Sequence, residues 1–258
     1  DSEPLLPNWR HLPVGYHGRA GTVVVSGTPI RRPQGQSKPP DADAPSFGPS
    51  RRLDIELEVG FVVGVPSRLG EPVAAAAFRD HVFGVVLVND WSARDVQAWE
   101  YVPLGPFLGK SFATSISAWV TPLALLEDRR VPSPPQEPEP LPHLRVEGDW
   151  ALDLPLEVEL NGSVISRGNA RGLYWTMPQQ LAHATSNGAS VRTGDLMASG
   201  TISGPERGSE GSLIELTWNG AEPLRLQDGG ERTFLADGDE VVLRSDLLAE
   251  VRGRIQPA

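Results

Sequence analysis

The sequence predicts a mixed α+β fold that is rich in β-strands, of sandwich, roll or barrel type, with few helices. Short runs of β-branched or alternating residues recur along the chain, and turn-forming dipeptides stand beside several of them. Helical patterns are rare. Because strands and helices do not alternate regularly, a (β/α)8 barrel and a doubly wound parallel sheet fit poorly.

The predicted strands carry β-branched residues or alternate apolar with polar positions. They are residues 23–25, 53–65, 82–88, 155–160 and 241–243. Dipeptides typical of hairpin turns follow or precede such runs. They are Asn161-Gly162, Asn219-Gly220 and Asp237-Gly238.

Three helices are predicted, at about residues 73–80, 92–101 and 177–186. Pro178 near the start of the last one and Gly188 just past its end are typical of helix boundaries.

Two segments rich in proline and polar residues, 31–50 and 131–143, are predicted to be long loops. Strand-like sequence continues on both sides of the second loop. We therefore interpret it as an excursion from one domain, so that residues 1–258 form a single domain.

Composition and charge exclude several classes of function. The net charge of −10 argues against a nucleic-acid partner, which needs a positive surface. No apolar run approaches the roughly 20 residues that cross a bilayer, and residues 1–4 do not begin a signal peptide. We therefore expect a cytoplasmic protein without membrane partners. There is no cysteine, which excludes disulfides and thiolate metal sites.

The first candidate site is the acidic strand face formed by Asp54, Glu56 and Glu58. Side chains alternate along a strand, so these three acids share one face, with neighbours about 6.5–7 Å apart. Two long glutamate side chains at that spacing can converge on a hard cation such as Mg²⁺ or Ca²⁺. The alternative is a solvated strand face.

The second candidate begins where an apolar strand ends at Asp90. Asp90, Arg94, Gln97 and Tyr101 are spaced by four, three and four residues, which predicts one polar stripe along a helix. A carboxylate at a strand–helix junction is typical of a binding site. The alternative is a solvent-facing stripe with a capping aspartate.

The third candidate is Lys110, one of two lysines in the chain. It lies in Gly105–Ser111, which superficially resembles a phosphate-binding P-loop. That motif needs four residues between its glycines, and this sequence has three, so we reject the nucleotide interpretation. Lys110 could instead neutralise negative charge that develops in a reaction.

Several stretches resemble the fumarylacetoacetase family, and together they span almost the whole chain. They are Leu6–Trp9 with His11–Arg19, Asn89–Asp95, Trp99–Phe112, Tyr174–Met177 and Ala198–Gly204. Related acylpyruvases share only a shorter core, Asp-Trp-x-Ala-Arg-Asp and Gly-Lys-Ser-Phe. The long Trp99–Phe112 run therefore favours the fumarylacetoacetase family over them.

The resemblance implies a fumarylacetoacetase-type β-sandwich roll or barrel and a homodimer. It also implies a metal-dependent hydrolase that uses Mg²⁺ or Ca²⁺. The small-molecule substrate would be a β-diketo acid, fumarylacetoacetate, cleaved at a carbon–carbon bond into fumarate and acetoacetate. In that family this is the last step of tyrosine and phenylalanine catabolism.

The resemblance also implies roles for individual residues. The carboxylate metal ligands are Glu56, Glu58 and Asp90. The residues that contact the substrate and stabilise negative charge are Arg94, Gln97 and Lys110. Further substrate-binding positions are Tyr16, Tyr101 and Thr201. Glu215 matches the glutamate that orients a catalytic histidine, and Lys110 and Thr114 match positions near a second, structural cation.

One part of the family pattern has no counterpart in the sequence. The family carries an upstream Asp-Phe-Tyr-Ser-Ser segment with a nearby histidine, and before it a small N-terminal β-domain. We therefore keep two alternatives: a related acylpyruvate or 2-oxo acid hydrolase or decarboxylase, and a catalytically inert metal- and ligand-binding fragment.

Overall fold

The computed structural model describes residues 6–258. The start of the chain, from which we expect no signal peptide, lies outside these residues. The strands are β1 (Val23–Val25), β2 (Ile30–Arg31), β3 (Gln34–Ser37), β4 (Ser46–Pro49), β5 (Leu53–Asp54), β6 (Leu57–Val63), β7 (Val82–Asn89), β8 (Ser92–Ala93), β9 (Thr114–Ile116), β10 (Thr121–Pro122), β11 (Arg130–Val131), β12 (Ala151–Leu152), β13 (Pro155–Leu160), β14 (Ser163–Asn169), β15 (Leu196–Ala198), β16 (Leu224–Arg225), β17 (Glu231–Arg232), β18 (Glu240–Ser245) and β19 (Val251–Gln256).

Helices are few, as predicted, and they are short. The α-helices are α1 (Phe78–His81), α2 (Arg94–Glu100), α3 (Met177–Thr185) and α4 (Leu213–Leu216). Short 3-10 helices are Ala20–Thr22, Ala75–Ala77, Leu123–Arg129, Pro142–Leu144 and Ala170–Gly172. In the described part of the chain, no helix has the length and apolar character needed to cross a membrane.

Two sheets form most of the fold. The first has the order β1-β9-β7-β6-β15, with β10 also paired to β7, and it is antiparallel except for the β1–β9 pair. The second has the order β14-β13-β18-β19-β2, with only β19 and β2 parallel. The curled, mixed sheet and the few helices confirm the predicted fold class.

The two sheets share one hydrophobic core. Leu87 of the first sheet and Val158 and Leu243 of the second are completely buried in it. Trp91 follows β7 into this core, where its indole N–H donates to the Ser115 hydroxyl at 2.8 Å. Burying the ring and satisfying its polar N–H makes Trp91 a rigid support for the adjacent Asp90.

The predicted strand 53–65 is interrupted in the structure. β5 and β6 are separated by Ile55 and Glu56, because side chains replace the sheet as hydrogen-bond partners there. The Ile55 N–H donates to the Asp54 carboxylate at 2.7 Å, and the Glu56 N–H donates to the Asn89 amide oxygen at 3.1 Å.

Two of the three predicted helices need correction at their starts, whereas α3 begins at Met177 as predicted. The segment predicted as helix 73–80 is a 3-10 turn followed by α1. The helix predicted at 92–101 begins at Arg94, because Ser92 and Ala93 pair with β5 as strand β8. α3 begins one residue after Thr176, whose backbone N–H donates to the Gln179 side chain at 3.0 Å.

Residues 31–50 are not wholly a loop, as the prediction had it, because β3 and β4 form a hairpin there. This hairpin packs on α2, and a Cβ on Gly35 would lie 2.9 Å from Val96. The loop prediction at 131–143 agrees better with the structure, because this segment has regular structure only at its two ends. Of the three turn dipeptides, Asn161-Gly162 joins paired strands, β13 and β14.

Candidate metal centre

Three carboxylates converge where β6 begins and β7 ends. Glu56, Glu58 and Asp90 each offer an oxygen within 4.8 Å of the other two. The antiparallel register of β6 and β7 brings them together, because Leu57 lies opposite Asn89. The two glutamates of the predicted acidic strand face thus lie beside the aspartate of the predicted strand–helix junction, whereas Asp54, the third acid of that face, lies outside the triad and binds Arg94.

Lys110 is the positive charge closest to this triad. Its Nζ lies 2.5 Å from Glu56 Oε2 and 3.1 Å from Asp90 Oδ2, and its side chain is 4% exposed. The Thr114 hydroxyl donates to Asp90 Oδ1 at 3.4 Å. The Tyr16 hydroxyl donates to Asp90 Oδ2. These groups hold the Asp90 carboxylate in one orientation.

Arg94 provides the second positive charge at the site. Its Nε donates to Asp54 Oδ2 at 2.8 Å, and its Nη1 donates to Glu56 Oε1 at 2.7 Å. Nη1 also lies 3.4 Å from the Gln97 amide oxygen. Asp90 is not on the same helical stripe as Arg94 and Gln97, since α2 begins only at Arg94.

The pKa values describe a pocket that is short of positive charge. Burial, with Asp90 and Glu56 nearby, raises the pKa of Glu58 well above its usual value. Burial opposes ionisation of Glu56 too, but the Lys110 ammonium and the Arg94 guanidinium hold the pKa of Glu56 below normal. Burial and the Asp90 charge raise the pKa of Tyr16.

The donor set fits a hard divalent cation. The three carboxylates, of which Glu58 and Asp90 are buried, repel one another, and Glu58 accepts the Gly200 backbone N–H at 3.0 Å. A divalent cation offsets that repulsion, and all-oxygen ligands are those that Mg²⁺, Ca²⁺ and Mn²⁺ prefer. The chemistry of the residues thus agrees with a metal centre.

A close backbone contact positions Lys110. A Cβ at residue 109 would lie 2.8 Å from the backbone nitrogen of Gln97, so only glycine lets this loop pack against α2. The Ala93 N–H donates to the Gly109 carbonyl at 2.8 Å. The Glu100 carboxylate accepts the N–H groups of Phe107 and Gly109 at 2.9 and 2.7 Å. The loop before Lys110 is therefore fixed at both ends of α2.

The other predicted site residues lie around the triad at different distances. Thr201 follows Gly200, the residue whose N–H donates to Glu58. Glu215, on α4, is exposed, and its Oε2 accepts the hydroxyls of Ser203 at 2.9 Å and Ser212 at 2.5 Å. Tyr101 directly follows α2 and is 53% exposed.

Three residues at the site were missed by the sequence reasoning. Asn89 binds the Glu56 backbone, Glu100 closes the loop before Lys110, and Gly200 donates to Glu58. Asn89 lies in the Asn89–Asp95 stretch and Glu100 in the Trp99–Phe112 stretch. Their position beside predicted site residues could therefore have indicated them. Gly200 stands in the Ala198–Gly204 stretch, but a backbone donor carries no side-chain pattern.

The fold and the site together define a β-rich α+β domain with a buried carboxylate centre suited to a divalent cation. Residues 5–256 match the profile of the fumarylacetoacetate (FAA) hydrolase C-terminal family. The chain belongs to this family. It is 55% identical to the fumarylacetoacetase of Homo sapiens over 245 residues, which cover 93% of this chain and 58% of that protein.

Solved structures share the fold. A fumarylacetoacetate hydrolase from Exiguobacterium antarcticum has a TM-score of 0.59 at 20% identity, covering 92% of this chain and 64% of its own. A fumarylpyruvate hydrolase from Pseudomonas aeruginosa, in complex with Mn²⁺ and pyruvate, has a TM-score of 0.55 at 17% identity, covering 92% and 74%. The present chain thus spans part of the length of such proteins.

Proposed function

We propose that this chain is the catalytic domain of a metal-dependent hydrolase that cleaves fumarylacetoacetate into fumarate and acetoacetate. That reaction would place it at the last step of tyrosine and phenylalanine catabolism. The observation that carries the proposal is the convergence of three carboxylates within 4.8 Å beside buried Lys110. The 55% identity to human fumarylacetoacetase supports the choice of substrate.

Glu56, Glu58 and Asp90 would hold the cation, for which we propose Mg²⁺ or Ca²⁺. Once bound, it supplies Lewis-acid polarisation of the two oxygens of the 1,3-diketone. The Mn²⁺ named with the Pseudomonas aeruginosa fumarylpyruvate hydrolase supports a divalent ion with oxygen ligands. Lys110 and Thr114, which both contact Asp90, border the position where a second, structural cation is proposed.

Lys110, Arg94 and Gln97 would stabilise the negative charge of the reaction. Addition of water to one carbonyl puts charge on oxygen, and cleavage of the carbon–carbon bond moves an electron pair onto the leaving fragment as an enolate. Lys110 contacts two of the proposed ligands, Glu56 and Asp90, so its ammonium would lie beside the developing charge. Donors that are held in place before reaction need no reorganisation.

The remaining residues would bind substrate and handle the proton. Tyr16 and Thr201 would border the pocket, and Tyr101 at the end of α2 would close on the substrate from outside. Glu215 would orient the histidine that activates water. Both of its serine hydrogen bonds go to Oε2, which leaves Oε1 to accept an imidazole N–H.

A second candidate is a domain that binds metal and ligand without turnover. The observation that favours it is the surroundings of Glu215, which within residues 6–258 accepts hydrogen bonds from two serines and from no histidine. A third candidate is the hydrolysis or decarboxylation of acylpyruvates or other 2-oxo acids. A panel of such substrates, assayed beside fumarylacetoacetate, separates that activity from the one proposed.

The test is the loss of fumarylacetoacetate absorbance with this chain, with and without added Mg²⁺ or Ca²⁺. Turnover that needs metal and is lost in Asp90→Ala supports the hydrolase. Asp43→Ala, a change at an exposed aspartate in the β3–β4 loop, is the control and should leave the rate unchanged. Metal binding that Asp90→Ala weakens, without turnover by the unmodified chain, would favour the non-catalytic candidate.

We also propose a homodimer. Several large apolar side chains near the site are exposed, among them Leu104 at 94% and Phe107 at 55%. A patch of this kind is typical of a protein–protein contact. Light scattering after gel filtration tests it, because a homodimer has twice the mass of the 27.8 kDa chain.

A further inference from the structure

Asp54 is a fully buried carboxylate that the proposed reaction does not use. Its side chain is 0% exposed and lies at the end of β5. Its two oxygens accept four hydrogen bonds, so little of their capacity is left over. The donors are the backbone N–H groups of Ile55 at 2.7 Å, Leu213 at 2.7 Å and Ile214 at 3.1 Å, and Arg94 Nε at 2.8 Å.

One hydrogen-bond partner of Asp54, Arg94, also contacts the carboxylate triad. Arg94 places its Nε on Asp54 and its Nη1 on Glu56 Oε1. The guanidinium is planar, so fixing its Nε side fixes the direction of Nη1. Asp54 therefore decides which oxygen of Glu56 is occupied by Arg94 and which one faces Lys110 at 2.5 Å.

Two other hydrogen-bond partners of Asp54 belong to α4. Leu213 and Ile214 are the first two residues of this helix, which carries Glu215. Both of their N–H groups lack a partner within the helix because they belong to its first turn. Asp54 satisfies both, and it thereby ties the position of Glu215 to that of Arg94, although the three segments are far apart in sequence.

We infer that Asp54 is a positioning residue: it holds Arg94 against Glu56 and thereby sets the affinity of the triad for a divalent cation. The inference rests on the proposed function, because it presupposes the metal centre. Without Asp54, Arg94 Nε loses its partner, so the guanidinium is free to take both oxygens of Glu56 instead of Oε1 alone and competes with the cation for that carboxylate. Loss of a group that orients a metal ligand typically costs about 10–100-fold in affinity.

The experiment is calorimetric titration of Mn²⁺ into the full chain and into Asp54→Asn, below the unfolding temperature of both. Asp239→Asn is the matched control. Asp239 is also buried, at 2% exposure, and it too binds an arginine, Arg232, and a backbone N–H, that of Ala236. Neither of these partners contacts the triad. Thermal unfolding in EDTA measures the structural cost of each change separately.

The expected result is a loss of Mn²⁺ affinity of about tenfold or more in Asp54→Asn, with unchanged affinity in Asp239→Asn. Equal affinity of Asp54→Asn and the unmodified chain would overturn the inference and leave the proposed function standing. If the unmodified chain binds no Mn²⁺, the proposed function fails and the inference fails with it.

A second variant covers the case in which Asp54→Asn does not fold. Arg94→Lys keeps the positive charge but cannot reach Asp54 and Glu56 together through two fixed nitrogens. It should lose Mn²⁺ affinity about as much as expected for Asp54→Asn, roughly tenfold. Unchanged affinity in Arg94→Lys would also overturn the inference.

Discussion

Glu58 is the member of the triad with the least compensation from positive charge. Lys110 and Arg94 both contact Glu56, and Lys110 also contacts Asp90, whereas Glu58 accepts the Gly200 N–H. Burial and the neighbouring carboxylates raise its pKa, so in the absence of metal Glu58 keeps its proton to a higher pH than an ordinary glutamate. A cation that binds there must displace this proton.

We therefore predict that metal binding releases protons and that the affinity falls as the pH is lowered through the raised pKa of Glu58. The same shift makes the metal-free protein lose stability as the pH rises through that pKa, because folding then forces an ionised carboxylate into the core. Calorimetry in buffers of different ionisation enthalpy counts the protons. A metal affinity that stays constant with pH would contradict this prediction.

Lys110 has a natural control, because the chain contains one other lysine, Lys38. Lys110→Met removes the ammonium between Glu56 and Asp90, so these two largely enclosed carboxylates face each other without it. In EDTA we expect the free energy of unfolding to fall by about 3 kcal/mol. Lys38→Met, whose ammonium lies 5.9 Å from the Trp99 ring centre, should cost about 1 kcal/mol or less. Urea unfolding followed by tryptophan fluorescence measures both, and equal losses would argue against the assigned role.

At the scale of elements, α2 and the loop before Lys110 work as one unit that depends on Gly109. Gly109→Ala places a Cβ 2.8 Å from the Gln97 nitrogen and 2.9 Å from its Cα, so backbone must move. We predict a loss of about 1–3 kcal/mol in stability, together with weaker metal binding. Gly172→Ala, where a Cβ meets nothing within 4 Å, is the control. Melting curves measure the stability of the two variants, and metal titrations measure their metal affinity.

Local pattern predicted those elements whose sequence and surroundings agree. Strands β7, β13 and β18 and helix α3 follow runs of apolar or periodic residues, and Asn161-Gly162 forms the predicted hairpin turn. The β3–β4 hairpin was missed because its polar, glycine-containing strands are held by packing on α2. The break at Ile55 was missed because it depends on side chains of Asp54 and Asn89 that act across the fold.

The sequence predicted which residues form the candidate site better than it predicted which of them bond to one another. Spacing alone brought Glu56 and Glu58 together, and the strand end indicated Asp90. The role of Asp54 could not be read from spacing, since it points to Arg94 and α4 and lies outside the triad. Only the structure shows that Asp54, and not Glu56 or Glu58, is the acid of the predicted strand face that lies outside the triad.

For the whole molecule, removal of the metal should lower stability. A ligand that binds only the folded state stabilises it by about 2.7 kcal/mol when its free concentration is 100 times the dissociation constant. We therefore expect EDTA to lower the melting temperature of the chain and added Mg²⁺ or Ca²⁺ to restore it. Asp90→Ala should show little response to either treatment. A melting temperature that does not depend on metal would count against a resident cation.

The most direct measurement of the central claim is an anomalous-scattering map of a crystal soaked in Mn²⁺. We predict one strong peak bounded by the carboxylates of Glu56, Glu58 and Asp90, with the Lys110 ammonium displaced from its position between two of them. Such a peak would establish the triad as a divalent-cation centre. A peak elsewhere, or none at the triad in a crystal that holds Mn²⁺ at other sites, would contradict the account.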